Sequence, residues 1–424
     1  MTVFGLDEAV VRNATAPVRP DVAGAAQDDP DGPENPGEVF ARAAWTSIAE
    51  PGDGVAGAVV GILGAARALT AVVEAWPAER LTRSLAATVD ENGAGDAGGL
   101  RLGLEQALAR WRPRLSSAEV IRSLRQAQRT GTRLLLPGDP QWPTGVDDLG
   151  QHAPLALWWR GRTEALDALC HSIALVGARA ATGYGEHVAM EAAAGLVDRG
   201  LAIVSGAAYG IDGMAHRSAL ASKGTTVAFL AGGVDRFYPS GHDALLTRIV
   251  EAGAVLSELP CGAAPTKWRF LQRNRLIAAV SGATVVLEAG WRSGSLNTAG
   301  HAAALGRPLG AVPGPVTSPT SAGCHRLLRD YDAICVTTAA EMAELIGVGV
   351  ELKLDLTGAD GAVPRERTSE QVRVFDALSV RAPRVPADIA RRSGLSTAAV
   401  LGALGTLDFE GSARERATGW VRVT

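Results

Sequence analysis

The chain of 424 residues has little lysine and no excess of positive charge. Lysine occurs only at Lys223, Lys267 and Lys353, so arginine supplies nearly all of the cationic side chains. The formal net charge is −4, which excludes the diffuse positive field by which many proteins attract polyanions. Any contact with nucleic acid must therefore come from a concentrated group of cations.

Cysteine is also scarce, and its spacing fits neither a metal site nor a disulfide framework. The four residues form no CxxC pair: Cys170, Cys261, Cys324 and Cys335. This pattern predicts a reduced cytoplasmic protein without a metal or another cofactor. The N terminus has no basic start followed by an apolar run, so we expect no signal peptide. The apolar stretch Val55–Val73 contains Arg67 and predicts a buried helix, with no membrane partner.

Changes in composition divide the chain into five regions. Residues 1–37 are rich in Pro, Asp and Gly and predict a disordered arm, and residues 38–127 predict a small helical, SAM-like domain. Residues 128–346 alternate strands and helices, which predicts an α/β domain with a Rossmann-like, doubly wound, mostly parallel sheet. Residues 347–368 predict a linker, and residues 369–424 predict a C-terminal winged helix.

Six short apolar runs are the predicted parallel strands of the α/β domain: Ile173–Val176, Ala202–Ser205, Thr226–Leu230, Ala254–Ser257, Thr284–Leu287 and Leu309–Val312. Most of them end in glycine or a small polar residue, and a helix is predicted to begin there. Backbone N–H groups and helix N termini are therefore expected at the carboxyl edge of the sheet, where open α/β sheets bind ligands.

One segment, Lys267–Arg275 (KWRFLQRNR), concentrates four cations and two aromatic side chains in nine residues. Cations at this density neutralise a phosphate backbone, and the interleaved Trp268 and Phe270 offer faces on which unpaired bases stack. The segment predicts contact with single-stranded nucleic acid.

Loops that follow the predicted strands contain further candidate binding residues. Arg179 follows the first strand and is expected to project into the crevice, and Ser205 and Gly206 form a small turn after the second strand. Ser293–Ser295 (SGS) precedes a predicted helix and forms a ready anion-binding nest. The GxGxxG fingerprint is absent, so we do not expect NAD to bind.

Two carboxylates and a histidine lie near the same edge. Asp212 is expected to cap the helix that follows it by accepting free N–H groups, and His216 to form a hydrogen bond within the core. Glu288 stands at the tip of the fifth predicted strand, where it serves either as an acid/base group or as a partner for a neighbouring arginine.

Together, these blocks resemble the DNA-processing protein A family (DprA, also called Smf). Five family motifs occur in order over about residues 130–345: V-G-x-R at Val176–Arg179, S-G-x-A-x-G-I-D at Ser205–Asp212, F-x-x-R-N-R at Phe270–Arg275, S-G-S at Ser293–Ser295 and V-P-G at Val312–Gly314. The chain departs from the family pattern at three places: Tyr209, Gly241-His242 and Cys324-His325.

The resemblance implies a protein that binds incoming single-stranded DNA and loads the RecA recombinase in natural transformation and recombination. It also implies a homodimer without enzymatic activity. The predicted DNA-binding residues are Arg179, Ser205, Gly206, Lys267, Phe270, Arg273, Asn274, Arg275, Ser293, Gly294 and Ser295. Of the neighbours Asn274 and Arg275, we expect Arg275 to be the more structural.

Two other hypotheses remain open at this point. In the first, the chain is a nucleotide phosphoribohydrolase with Glu288 as acid/base group; the missing P-G-G-x-G-T loop argues against it. In the second, the winged helix makes the chain a sequence-specific regulator. Its predicted recognition helix, Ser396–Phe409, contains no Arg, Lys, Asn or Gln to read base edges, which favours a protein-contact or dimer-support role.

Overall fold

The computed structural model describes residues 2–19, 35–87, 97–348, 368–380, 382–416 and 418–423. Contacts within the chain divide it into two compact units, Met1–Glu351 and Leu352–Thr424, which we call the N-terminal and C-terminal units. Of the predicted linker over residues 347–368, only residues 347, 348 and 368 lie within the described part of the chain.

The strands of the described residues are, in chain order, β1 (Thr2–Val3), β2 (Leu6–Asp7), β3 (Arg133–Leu135), β4 (Leu157–Gly161), β5 (Ser172–Gly177), β6 (Ala202–Ser205), β7 (Thr226–Phe229), β8 (Ala254–Ser257), β9 (Ala283–Glu288), β10 (Leu309–Ala311), β11 (Ile334–Cys335), β12 (Ala413–Arg416) and β13 (Gly419–Arg422).

The α-helices of the described residues are α1 (Glu8–Thr15), α2 (Pro36–Ile48), α3 (Gly54–Leu63), α4 (Ala65–Val73), α5 (Ala78–Ala86), α6 (Ala97–Trp111), α7 (Ser117–Thr130), α8 (Thr163–Asp167), α9 (Gly183–Val197), α10 (Ile211–Ala221), α11 (Asp243–Ala252), α12 (Lys267–Val280), α13 (Ser295–Ala304), α14 (Ala322–Asp330), α15 (Ala339–Glu344), α16 (Ser369–Ala377), α17 (Pro386–Ser393) and α18 (Thr397–Phe409).

Within the described residues, nine strands form one sheet in the order β11-β10-β9-β5-β6-β7-β8-β4-β3. Strands β5 to β11 are parallel to one another, whereas β3 and β4 add an antiparallel edge beside β8. The apolar runs of β5 to β9 are buried on both faces, as parallel sheets require, because helices cover them on either side. The prediction of a Rossmann-like, mostly parallel sheet is confirmed.

The order of the strands reverses beside β5. The chain runs outward through β6, β7 and β8, and then returns to place β9 on the other side of β5. Open α/β sheets bind ligands at such a switch point, because the loops after the two central strands diverge and leave a crevice at their carboxyl ends. The loops after β5 and β9 flank that crevice.

The helical region packs directly against the antiparallel edge of the sheet. Trp158 in β4 is fully buried and donates its indole N–H to Thr46 Oγ1 in α2 at 3.1 Å. Trp45, which meets Trp111 edge-on at 5.1 Å between centroids, belongs to the same continuous core as Leu230 of the sheet domain. The boundary predicted at residues 127/128 therefore does not separate two compact units.

The prediction of a disordered arm over residues 1–37 is wrong for residues 2–19. The short hairpin β1–β2 leads into α1, Val11 and Val18 are buried in the core, and the Arg19 guanidinium forms an ion pair with Asp139. The prediction failed because it used the average composition of residues 1–37, in which the apolar residues near the start carry little weight. Helix α2 begins at residue 36, and residues 20–34 lie outside the described part of the chain.

In the C-terminal unit, three helices and a two-stranded wing surround a small core of their own. Val374, Ile389 and Leu404 are buried there, and β12 pairs with β13 in the antiparallel sense. Gly394 ends α17 with φ of +68°, a left-handed conformation that glycine adopts without strain. The prediction of a winged helix is confirmed.

Across the described segments, no single helix is both long and apolar enough to span a bilayer. Helices α3 and α4 satisfy the length and composition only as a pair, and they meet at an angle of 112°.

Since the two units have separate cores, we expect them to unfold in separate transitions. Leu404→Ala removes a fully buried side chain from the C-terminal core and is expected to destabilise that unit by about 2–5 kcal/mol. Leu401→Ala on the same helix, where the side chain is 50% exposed, is the matched control. Differential scanning calorimetry of the full chain measures the effect. A shift of both transitions by equal amounts in Leu404→Ala contradicts the independence of the units.

Candidate nucleic-acid interface

A cleft of about 890 Å³ opens at the switch point of the sheet. Its walls are the loop after β5, the loop after β9 and one face of α12. It brings together eight of the eleven residues predicted from the sequence: Arg179, Lys267, Phe270, Arg273, Asn274, Ser293, Gly294 and Ser295. The other three, Ser205, Gly206 and Arg275, do not line it.

The segment Lys267–Arg275 is helical throughout and forms the first nine residues of α12. Thr266 caps the helix, because its side-chain oxygen accepts the N–H of Arg269 at 3.3 Å. A helix turns its side chains by about 100° per residue, so the cations of this segment point in different directions. Lys267 faces the cleft, whereas Arg269 forms an ion pair with Glu50 of the helical region.

Phe270 is the centre of an aromatic and cationic wall. The guanidinium carbon of Arg179 lies 5.0 Å from the Phe270 ring centroid, and the Tyr238 ring centroid lies 5.6 Å away on another side. Arg179 and Tyr238 are exposed. The sequence analysis missed Tyr238 as a site residue, since a lone tyrosine in the long loop after β7 carries no periodic signal.

Arg273 is buried beneath this wall and holds α12 against the sheet. Its Nη1 donates to the carbonyl oxygens of Gly206, after β6, and Phe229, at the end of β7, at 2.6 Å each. Burial lowers the pKa of Arg273 to about 10, which leaves the guanidinium charged at neutral pH. Its Nη1 is committed to these two carbonyl groups, although the residue lines the cleft floor.

Ser205 and Gly206 lie below the cleft and not in it. Ser205 is fully buried and its Oγ donates to the Leu175 carbonyl at 2.6 Å. A Cβ on Gly206 would collide with the Arg273 guanidinium, so glycine is required there by internal packing. From the sequence alone, this turn cannot be distinguished from a ligand-binding loop.

Asp212 supports the same turn. Its carboxylate accepts the N–H groups of Gly206 at 3.2 Å and Ala208 at 3.4 Å, and burial raises its pKa. The prediction that Asp212 caps the following helix is wrong: it lies in the first turn of α10 and bonds to the loop before that helix, while the N-cap is Gly210.

Arg275 lies on another face of α12 and is almost fully buried. Its Nη2 is 2.9 Å from the Glu258 carboxylate and 2.9 Å from the carbonyl oxygen of His152. The structure therefore places Arg275 outside the cleft, in a structural ion pair.

The nest Ser293–Ser295 leads into α13, whose first residue is Ser295, and hydrogen bonds connect it to α12. The two serine hydroxyl oxygens lie 2.8 Å apart, and Asn274 Nδ2 donates to Asn297 Oδ1 at 3.2 Å and to the Gly294 carbonyl at 3.4 Å. Asn274 thus positions the nest relative to the aromatic wall. Arg292, exposed at the cleft rim, is a second residue that the sequence analysis did not single out.

Glu288 is buried and bonded to the loop ahead of α9. Its carboxylate accepts the backbone N–H of Thr182 at 2.9 Å and the Thr182 hydroxyl at 2.7 Å. Gly185 packs so closely on this carboxylate that a Cβ would collide with it. From the sequence, Glu288 is expected either as an acid/base group or as a partner for a neighbouring arginine. In the structure its carboxylate fixes the loop ahead of α9, and its partner is Thr182 and not an arginine.

Tyr209 and His242, two departures from the family pattern, pack against each other. Their ring centroids lie 4.8 Å apart, and the buried His242 has its Nδ1 within 3.0 Å of the Ala207 carbonyl. Among the described residues, no group of three or more His, Cys, Asp or Glu side chains could hold a metal ion.

Comparisons with known proteins agree with this geometry. A family model described as DNA recombination-mediator protein A matches residues 133–347, just over half of the chain, and one described as the DprA winged helix domain matches residues 359–417. The chain belongs to the DNA recombination-mediator protein A family. The resemblance inferred from its motifs is confirmed.

Individual members of the family are also similar to this chain. A DprA protein of Mycobacterium tuberculosis is 48% identical over 302 residues, which cover 69% of this chain and 77% of the relative. Protein Smf of Escherichia coli is 39% identical over 198 residues, 46% of this chain and 52% of Smf. The X-ray structure of Streptococcus pneumoniae DprA superposes with a TM-score of 0.56 at 26% identity, covering 73% of this chain and 97% of that one.

The buried pair between Arg275 and Glu258 gives a stability prediction. Arg275→Met removes one partner and leaves a buried carboxylate, so we expect a loss of about 3–5 kcal/mol in the free energy of unfolding, measured by chemical denaturation. Arg329→Met, which breaks an exposed pair with Asp330, is the control and is expected to cause no measurable change. Equal stability of both variants contradicts a structural role for Arg275.

His216 is fully buried, as expected from the sequence, and lies 2.7 Å through Nδ1 from Thr226 Oγ1. Burial lowers its pKa to about 3, so between pH 6.5 and 3 the unfolded chain binds a proton that the folded chain does not. Stability is therefore expected to fall as the pH is lowered through this window, by up to about 1.4 kcal/mol per pH unit from this site. Urea denaturation at several pH values measures the slope. His216→Gln should show a slope that is smaller by one proton; an unchanged slope contradicts the assignment.

Proposed function

We propose that the protein binds single-stranded DNA in the cleft at the switch point of the sheet. The observation that carries the proposal is the aromatic and cationic wall, in which Phe270 lies close to both Arg179 and Tyr238 and lines the same cleft as Lys267. Cations in this position meet the phosphate backbone, and the aromatic rings offer stacking faces to bases.

Two features favour a single strand over a duplex or a free nucleotide. Bases of a duplex are already stacked inside it, whereas unpaired bases gain about 1–3 kcal/mol each by stacking on an aromatic side chain. The cleft also extends from Lys267 across Phe270 to Arg292 and the Ser293–Ser295 nest. A mononucleotide does not need so long a series of contacts.

The family supports a role in recombination. Its model is described as a recombination mediator, and relatives are named for DNA processing. We accordingly propose that the protein delivers the bound strand to the RecA recombinase and acts as a homodimer in the cytoplasm, in natural transformation or recombination. The C-terminal winged helix, whose α18 contains no Arg, Lys, Asn or Gln to read base edges, serves protein contacts in this scheme.

We propose no enzymatic activity. A general acid or base must reach a substrate proton, and the Glu288 carboxylate is buried against Thr182 and Gly185. This geometry argues against the nucleotide phosphoribohydrolase alternative.

Binding is tested by fluorescence anisotropy with labelled poly-dT, a duplex of equal length and a free nucleotide, at two salt concentrations. We expect a salt-sensitive preference for the single strand. Arg179→Ala/Lys267→Ala removes two phosphate contacts, so the slope of log affinity against log salt should become shallower by about 1.4. Phe270→Leu should weaken binding by about 1–3 kcal/mol with little change in that slope.

Arg329→Ala, an exposed cation on α14, is the matched control and should bind like the unmodified protein. The double variant that fails to bind the strand should also fail to accelerate assembly of RecA on it. Equal affinity for all three nucleic acids, or no binding at all, would contradict the proposal. Nucleotide hydrolysis that is lost in Glu288→Gln would then support the hydrolase alternative.

A further inference from the structure

A second cavity, of about 690 Å³, lies on another face of α12. We call it the Trp268 pocket. Its residues include Trp268, Gln272 and Arg275 of α12, His301 of α13, and His152 and Gly52. Trp268 is 57% exposed, which is unusual for so large an apolar side chain and is not explained by the cleft, since Trp268 does not line it.

Helix α12 forms the boundary between the two cavities. Successive residues project about 100° apart, so that one member of each neighbouring pair lines the cleft and the next lines the Trp268 pocket on the adjacent face. The pairs are Lys267 and Trp268, Leu271 and Gln272, and Asn274 and Arg275. Helical geometry requires this, because residues at i, i+4 and i+7 share a face. A strand that leaves the cleft past Lys267 therefore meets Trp268 next.

The inner end of the pocket has unused hydrogen-bonding capacity. Arg275 is only 3% exposed, and its Nε has no hydrogen-bond partner among the described residues. A Cβ on Gly52 would lie 3.0 Å from this Nε and 2.8 Å from Gln272 Oε1, so Gly52 packs closely against both side chains and closes this corner of the pocket. Burial and the nearby Arg275 guanidinium lower the pKa of His301, which favours a neutral imidazole that can donate or accept.

The charges around the pocket select against phosphate. Three carboxylates line it, and each already has an arginine partner: Glu50 with Arg114 and Arg269, Asp53 with Arg110, and Asp148 with Arg307. In these ion pairs the arginines balance the charge of the carboxylates, and no excess of positive charge remains around the pocket. A neutral, planar ring that carries both donors and acceptors fits this environment, and an anion does not.

We infer that the Trp268 pocket receives a base of the single strand as the strand leaves the cleft past Lys267. The base stacks on the Trp268 indole, and its edge meets Gln272 and His301. The phosphate remains outside, near Lys267. This inference rests on the proposed binding of single-stranded DNA in the cleft and adds the path by which the strand continues.

The test is an abasic scan. One abasic nucleotide is moved stepwise along a labelled poly-dT strand, and the affinity of each strand is measured for the unmodified protein, Trp268→Leu and Phe270→Leu. In the unmodified protein, two separate sets of positions should each weaken binding, by about tenfold. Trp268→Leu should abolish the effect at one set only, and Phe270→Leu at the other. Tyr331→Leu, a partly exposed aromatic at the far edge of the sheet, is the control and should retain both sets.

A covalent readout accompanies the scan. Strands with a single 5-iodouracil at the positions assigned to the pocket should cross-link to Trp268 in the unmodified protein, as identified by mass spectrometry. Thermal melting verifies that Trp268→Leu is folded.

Identical scans for the unmodified protein and Trp268→Leu, without a cross-link, overturn the inference. So does a Trp268→Leu variant that binds every strand normally but no longer acts on the recombinase, because the pocket then docks protein. Failure of the proposed function has a different signature: the unmodified protein itself shows no preference for single strands.

Discussion

The buried guanidinium of Arg273 is the interaction on which the rest of the site depends. It ties α12 to the carboxyl ends of β6 and β7 through the carbonyl groups of Gly206 and Phe229, and Asp212 supports the Gly206 turn from below. A charged group is stable there because hydrogen bonds satisfy part of it and the Asp212 carboxylate is near. Since Phe270 lies less than one turn from Arg273 on the same helix, this anchor also sets the position of the aromatic wall.

Around that anchor, the residues at the switch point separate into two layers with different physical roles. A buried layer of Ser205, Gly206, Asp212 and Glu288 forms hydrogen bonds inside the protein and fixes the loops at the switch point. An outer layer, which includes Arg179, Lys267 and Phe270, faces the cleft. Rigid internal bonding allows the outer side chains to hold one arrangement before any ligand arrives, which lowers the entropic cost of binding.

The positive charge of the cleft does not come from the cation-rich segment of α12 alone. A helix distributes the four cations of KWRFLQRNR over several directions, and Glu50 and Glu258 neutralise two of them by ion pairs. Only Lys267 and the partly committed Arg273 remain on the cleft side. Arg179, from the loop after β5, and Arg292, from the loop after β9, add two further cations to the cleft. The positive charge of the cleft therefore depends on chain topology and not on the local density of cations in one segment.

Local patterns in the chain are enough to predict the class of fold, the six central strands to within about two residues, the winged helix and the family, because apolar periodicity, strand-end glycines and ordered motifs need no distant contacts. Of the eleven site residues predicted from these patterns, eight lie in one cleft. Which of the eleven residues face outward depends on tertiary contacts. Whether Gly206 serves a ligand or Arg273, and whether Arg275 meets DNA or Glu258, depends on partners more than 15 residues away in the chain. The fold of residues 2–19 and the pairing of Tyr238 with Phe270 depend on such distant contacts too, and no local pattern encodes them.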